Sequence, residues 1–241
     1  MRTLAIIPAR GGSKRIPHKN IRNFLGKPII AYSIDTALES DLFDEVMVST
    51  DDAVVADVAT KFGANIPFLR SKKTASDNAT TVDVLLEVLT KYQEQGINFQ
   101  YACCIYPTAP FISNYRLEVA LLKMKRENLD SVIPVTPFSY PVQRSFTMID
   151  DKLEMMMPEH MNTRSQDLDT AYHDCGQFYW FDVERLMASK SLMTQNTGAI
   201  ILPELEVQDI DQESDWKLAE LKYQLIHQLH DNESISKGRR A

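Results

Sequence analysis

Five short apolar runs, each closed by turn residues, alternate with segments of helical period along this chain of 241 residues. No other feature limits the fold so much. Thr3–Ile7 reads as a buried strand that stops at Pro8. Pro28–Ser40 carries apolar residues at helical spacing, and Glu45–Ser49 is a second strand ending in Thr50-Asp51-Asp52. Helices are predicted over Val54–Phe62, closed by Gly63, and over Thr80–Gln95, where Val82, Leu85, Leu86 and Leu89 share a face. Tyr101–Tyr106 is a third strand, Asn114–Glu127 a helix, Ser131–Val135 a fourth strand and Gln177–Phe181 a fifth. Strands alternating with helices predict an α/β fold, with helices layered on a mostly parallel sheet.

The rhythm breaks between Pro137 and Asp174, a stretch rich in Pro, Met, Ser and charge, with a hairpin-like turn at Asp150-Asp151-Lys152. It reads as an arm, about residues 137–170, inserted into a single domain of residues 1–229. Met155, Met156 and Met157 point in different directions and suit packing within the arm or against a second copy. Asp215–Leu229 is a terminal helix, and residues 230–241 read as a polar, frayed tail.

The composition, 44% hydrophobic, is enough to bury a full core. A net charge of -7 argues against a general nucleic-acid binder. Cys103, Cys104 and Cys175 have no CxxC spacing, so they read as buried thiols in a reducing compartment. The opening MRTLAIIPAR has too short an apolar run for a signal peptide or a membrane span, so a cytoplasmic protein with no membrane partner is expected.

Against that acidic total, IPARGGSKRIPHKN (residues 7–20) gathers Arg10, Lys14, Arg15, His18 and Lys19 into one glycine-containing loop. It follows the first strand, and ligands of open α/β sheets bind at the carboxyl ends of strands. Gly11 and Gly12 let backbone N–H groups converge on an anion, and clustered cations are unfavourable without one. The loop lacks the Gly-Lys-Ser/Thr end of a P-loop and is not GxGxxG. A phosphate ligand is predicted through a different architecture. Asp209-Ile-Asp211, placed after a strand, would put two carboxylates on one face. By spacing alone they are either a hard-cation site or two solvated acids. Asp51 is read as structural, capping the helix that follows.

These residues carry a resemblance. The loop, followed by GKPIIAYSI, resembles the signature of the CMP-sugar synthetases that activate nonulosonic acids, a cytidylyltransferase family. VSTDD, FLRSKKTASDNATTVDVL, YPTAPF, NTRSQDL, YHDCGQFYWF and VQDIDQESDW match it in order, from Thr3 to about Leu225. NTRSQDL and YHDCGQFYW resemble best the branch that activates pseudaminic acid. The sialic acid branch usually has Gln at the position of Tyr106 and Arg-Pro-Asn-Gly at His173-Asp174-Cys175-Gly176.

The resemblance implies a nucleotide-diphospho-sugar transferase-like, three-layer Rossmann-like fold and a reaction. The anomeric hydroxyl of a nonulosonic acid attacks the α-phosphorus of CTP, and diphosphate leaves. Arg10, Gly11, Gly12, Ser13, Lys14 and Lys19 match positions that hold the triphosphate. Asn20, Arg70, Ala79 and Thr81 match positions near cytosine and ribose. Asp209 and Asp211 match the metal site, for Mg²⁺. Arg10, Lys14, Lys19 and Asp211 would carry the catalysis. For the sugar the candidates are Tyr106, Gln143, Arg144, Arg164, His173, Asp174 and Gln177. Those in the arm would act across a homodimer. No general base is singled out. The alternatives are activation of N-acetylneuraminic or legionaminic acid, a non-catalytic nucleotide-binding relative, and a glycosyltransferase. A glycosyltransferase would carry its metal-binding DxD mid-chain.

Overall fold

The computed structural model describes residues 2–13 and 15–238, with side chains as far as residue 229. Eleven strands and six α-helices are present among the described residues. The strands are β1 (Thr3–Pro8), β2 (Asn23–Phe24), β3 (Lys27–Pro28), β4 (Glu45–Ser49), β5 (Tyr101–Ile105) and β6 (Ser131–Pro137). They continue as β7 (Phe146–Ile149), β8 (Lys152–Met155), β9 (Tyr172–Asp174), β10 (Phe178–Asp182) and β11 (Thr197–Ile201). The helices are α1 (Ile29–Glu39), α2 (Ala53–Lys61), α3 (Thr81–Glu94), α4 (Asn114–Glu127), α5 (Val183–Ser189) and α6 (Glu213–Gly238).

The main sheet has the order β11-β6-β10-β5-β1-β4, with β9 added on β6. β1 is parallel to β4 and β5, and β11 to β6, while β10 and β9 run antiparallel to their neighbours. The sheet separates two cores, which is why its strands read as continuous apolar runs. Along β1, Ala5 and Ile7 face the cluster under α1, α2 and α4, while Leu4 and Ile6 face the one under α3. A third cluster joins Ile16, Phe24, Tyr32, Ile210 and Trp216, so the N-terminal loop and the start of α6 share one small core.

Local signals explain the helix ends. Thr80 and Asp83 form a reciprocal capping box at the start of α3. Asp52, not Asp51, caps α2, accepting from the N–H groups of Val54 and Val55. This corrects the expected cap: the Asp51 carboxylate instead accepts the Gly11 N–H at 3.1 Å and ties down the basic loop.

Two further expectations change. The segment before Asp209 is not a strand; a short 3-10 turn at Glu204–Glu206 is followed by chain without sheet partners. The alternation argument for one shared carboxylate face therefore lapses. The expected frayed tail is helical as far as Gly238. The turn at Asp150 and Asp151 does close a hairpin, with positive φ at both residues and β7 paired to β8 in a small separate sheet.

Candidate active site

A cleft of about 450 Å³ opens where β1 and β5 end. Its walls are the basic loop, the Arg70–Thr81 loop, the Tyr106–Thr108 turn and Asp211. Arg10, Ser13, Lys19, Asn20, Arg70, Ala79 and Thr81 of the nucleotide-side set line it, together with Tyr106 of the sugar-side set and Asp211 of the metal pair. Gly11 and Gly12 lie around the corner, in a neighbouring hollow of about 390 Å³ that shares Arg10, Ser13, Ser76 and Asp77 with the cleft. Lys14 lies outside the described residues.

Each wall is held by long-range contacts. The Arg10 guanidinium meets Asp77 at 2.7 Å and links the basic loop to the Arg70–Thr81 loop. Asn20 is buried and donates its amide to the Arg10 carbonyl at 2.9 Å, fixing the loop from beneath. Lys19 Nζ donates to the Ile210 carbonyl at 2.6 Å and lies 3.7 Å from Asp211. Arg15 grips both oxygens of Asp211, at 2.9 and 2.8 Å.

Arg70 is buried, and its guanidinium donates to the Ser49 hydroxyl and carbonyl at the end of β4. Burial pulls its pKa below the ordinary arginine value, partly offset by Asp51 and Glu87. Glu87 of α3 accepts from the Ser71 N–H, the Ser71 hydroxyl and the Thr74 hydroxyl, and pairs with Lys91 at 2.8 Å. Burial pushes that carboxyl up. Hydrogen bonds from Lys91, Ser71 and Thr74 outweigh it and hold the pKa at about 2.

A matching family model spans residues 4–196 and is described as Cytidylyltransferase. The chain belongs to the cytidylyltransferase family. It is 40% identical over 229 residues to the pseudaminic acid cytidylyltransferase of Campylobacter jejuni, an alignment covering 95% of this chain and 99% of that protein. It is 34% identical to the CMP-N,N'-diacetyllegionaminic acid synthase of Legionella pneumophila, over 91% of this chain and 95% of that one. Among solved structures, CMP:2-keto-3-deoxy-manno-octonic acid synthetase complexed with CTP superposes with a TM-score of 0.67 at 18% identity, covering 95% of this chain and all of that one. That likeness concerns the fold alone, and it is the nucleotidyltransferase fold predicted from the sequence.

The sugar-side candidates of this cytidylyltransferase are scattered. Of the seven, only Tyr106 lines the cleft. Gln143 donates to the Asp169 carbonyl at 2.9 Å, and Arg164 is an exposed arm residue 3.8 Å from Asp167. Arg144 lines a separate hollow in the arm with Tyr140, Phe146, Met155 and Met161. His173 packs on Phe138, with ring centroids 4.8 Å apart. Gln177 is buried and donates to the Glu206 carbonyl, a structural use of its amide. Asp174 accepts from the Gly176 N–H at 2.8 Å and from the Tyr179 hydroxyl at 2.6 Å.

The metal pair is also divided. Asp211 is on the cleft wall, whereas Asp209 is exposed and does not line it. Among the described residues no three His, Cys, Asp or Glu side chains gather as ligands. So lean a carboxylate set still fits a hard cation that takes most of its shell from phosphate and water, as Mg²⁺ does. Arg15, Asp77 and Thr108 line the cleft but were not assigned roles from sequence. Arg15 had a visible signal, its place in the cationic cluster. Asp77 and Thr108 had only their places in the motifs FLRSKKTASDNATTVDVL and YPTAPF.

Proposed function

We propose that the protein transfers CMP from CTP to the anomeric hydroxyl of a nonulosonic acid, with pseudaminic acid as the preferred substrate, and releases diphosphate. The observation that carries this is the cleft itself. Arg10, Ser13 and Lys19 converge there with Asp211 and with the pocket under Arg70, Ala79 and Thr81, in a chain 40% identical to a pseudaminic acid cytidylyltransferase. Little covalent help is needed for in-line transfer; positioning and charge stabilisation suffice.

Arg10 and Lys19 bind the triphosphate and offset the charge that grows on the departing diphosphate. Lys14 belongs to the same set on sequence grounds. Gly12 offers its backbone N–H, while the Gly11 N–H is held by the Asp51 carboxylate and the Ser13 N–H by the Gly11 carbonyl, and Asn20 keeps that loop in place. Arg70, Ala79 and Thr81 border the cytidine. Asp211, aided by Asp209, holds Mg²⁺, which supplies Lewis-acid polarisation of the phosphates when bound. On the sugar side Tyr106 faces the substrate within one chain.

Gln143, Arg144 and Arg164 serve a neighbouring subunit's cleft in a homodimer. Support comes from the arm's apolar exposure, at Tyr140, Phe146, Met148, Leu153 and Met156, and from the buried Gln143 Oε1, which has no hydrogen-bond partner among the described residues. In this reading residues 1–229 form one domain, with residues 137–170 as its dimerisation arm. The protein acts in the cytoplasm, in keeping with three buried free thiols. No helix among the described residues is long and apolar enough to cross a membrane.

Diphosphate release with CTP and Mg²⁺ tests the reading, with pseudaminic, legionaminic and N-acetylneuraminic acids in parallel. Release with pseudaminic acid alone is expected. Release with legionaminic acid alone would favour the second reading, for which the 34% identical legionaminic acid synthase stands. No release from folded protein that binds CTP would overturn catalysis.

A further inference from the structure

The stretch that carries Asp209 and Asp211 has no sheet partners, and side chains meet its backbone groups instead. On one side is the basic loop, whose Lys19 donates to the Ile210 carbonyl at 2.6 Å. On the other is α6. Its Asp215 carboxylate accepts from the Asp211 N–H at 3.0 Å and from the Gln212 N–H at 2.9 Å. Its Lys222 ammonium donates to the Val207 carbonyl at 2.7 Å and to the Glu204 carbonyl at 3.3 Å. Asp215 and Lys222 are seven positions apart, about two helical turns, so they share one side of α6.

We infer that α6 is a splint for this segment, and that Lys222 and Asp215 are positioning residues that set Asp211 on the cleft wall. The inference rests on the cytidylyl-transfer reading of the cleft, with Asp211 as its metal ligand.

A splint must itself be fixed. Trp216 and Ala219 of α6 pack with Ile210 and Ile16 in the third core, so the helix, the segment and the basic loop share one anchor. Ile210 is buried between the two bonded ends, Val207 and Asp211. An ammonium has three hydrogens, so Lys222 can serve both its carbonyls at once. Upstream, Glu206 is held separately. Gln177 donates to its carbonyl, and Arg116 meets its carboxylate twice at 3.0 Å. The turn therefore stays in place without Lys222, and the stretch from Val207 onward is what depends on α6. Such support matters most where carboxylates are few, because a cation's hold on Asp211 then depends on how well that one side chain is oriented. Lys222 does not line the cleft, so its influence on Asp211 runs only through the segment.

The test compares wild type, Lys222→Met, which keeps the aliphatic stem and removes the donor, and Lys222→Arg, which keeps a charged donor. Amide exchange over residues 207–212, Mn²⁺ affinity of nucleotide-free protein and the Mg²⁺ dependence of diphosphate release are measured for each. Lys222→Met is expected to speed exchange of the Asp211 and Gln212 amides. It should weaken Mn²⁺ binding, and raise the half-saturating Mg²⁺, about fivefold, the scale of one net hydrogen bond. The kcat at saturating Mg²⁺ and the metal-free CTP affinity stay within about twofold, and Lys222→Arg returns the metal values toward wild type. A purely structural role would lower thermal stability and leave the metal dependence alone. Unchanged Mn²⁺ affinity in Lys222→Met, an equal loss of metal-free CTP affinity, or no return in Lys222→Arg overturns the proposal. If Lys222→Met does not fold, Lys222→Gln is read by the same outcomes. Failure of the underlying reading looks different, with no diphosphate released by wild type. Amide exchange and Mn²⁺ affinity then decide, and equal values across the proteins overturn the inference as well.

Discussion

Arg15 and Asp211 form a two-pronged ion pair at the cleft, with N–O distances of 2.9 and 2.8 Å. The side chain of Arg15 is 70% exposed and that of Asp211 39%, so the pair is held in reach of water and its guanidinium is free to leave. Arg15 stands where a cation would neutralise Asp211. Removing it, as in Arg15→Ala, is expected to raise the affinity of nucleotide-free protein for Mn²⁺ about fivefold, the scale of an exposed ion pair. Electron paramagnetic resonance titration reads this directly. Unchanged Mn²⁺ affinity would mean that the pair does not compete with metal.

Asp211→Asn should lower kcat with CTP and Mg²⁺ about a hundredfold or more, the usual scale for losing one preorganised electrostatic contact. CTP binding measured without metal should persist, since the basic loop remains. Asp209→Asn should cost less, because only Asp211 lines the cleft. Equal losses from both variants would show that the exposed Asp209 turns inward when the nucleotide binds.

Gly11 lies so close to the α2 cap that a Cβ added there would stand 2.4 Å from the Asp52 carboxylate and 2.8 Å from its Cβ. Asp52 cannot yield cheaply, because its other oxygen accepts from Val54 and Val55. Gly11→Ala should therefore displace the loop or break the cap. A loss of about 1 kcal/mol in thermal stability is expected from the cap alone, together with weaker CTP binding by titration. Normal values of both would show that the loop has room that the structure does not display.

Glu87 anchors the Arg70–Thr81 wall through Ser71 and Thr74. Its folded pKa, about 2, is depressed, so its contribution is present above the unfolded value near 4.3 and is lost as pH falls toward 2. Urea unfolding followed from pH 6 to pH 2.5 should show about 2 kcal/mol disappearing below about pH 4.5. Glu87→Gln should be less stable at pH 6 and should show a flatter profile over the same interval. A parallel profile in the variant would assign the acid loss to other carboxylates.

The legibility of this protein in its sequence follows the range of the interactions. Strands β1, β4 and β5 and helices α1 to α4 are written locally, in apolar runs, period and caps such as Thr80 with Asp83. The cationic loop is local too, since like charges so close together require an anion. The ordered motifs then named the family. Short elements without a strong period, β11 and α5, left no comparable signal.

The rest was decided by contacts between distant residues. Arg15 and Asp211 are 196 positions apart, and neither shows in its own neighbourhood that it will meet the other. Asp209 and Asp211 looked equivalent by spacing. Only the path of the chain after Glu206, outside any sheet, put one on the wall and left the other in solvent. Gln177 and Asp174 carry polar groups that the sequence offered to a sugar. The pairing of β10 with β5 and of β9 with β6 directs them to Glu206 and Tyr179 instead. A sequence states which chemical groups a chain possesses, and periodicity states where local backbone bonds will form. Which groups end up facing the ligand depends on strand order and register, and those are fixed by the burial of both faces of one sheet.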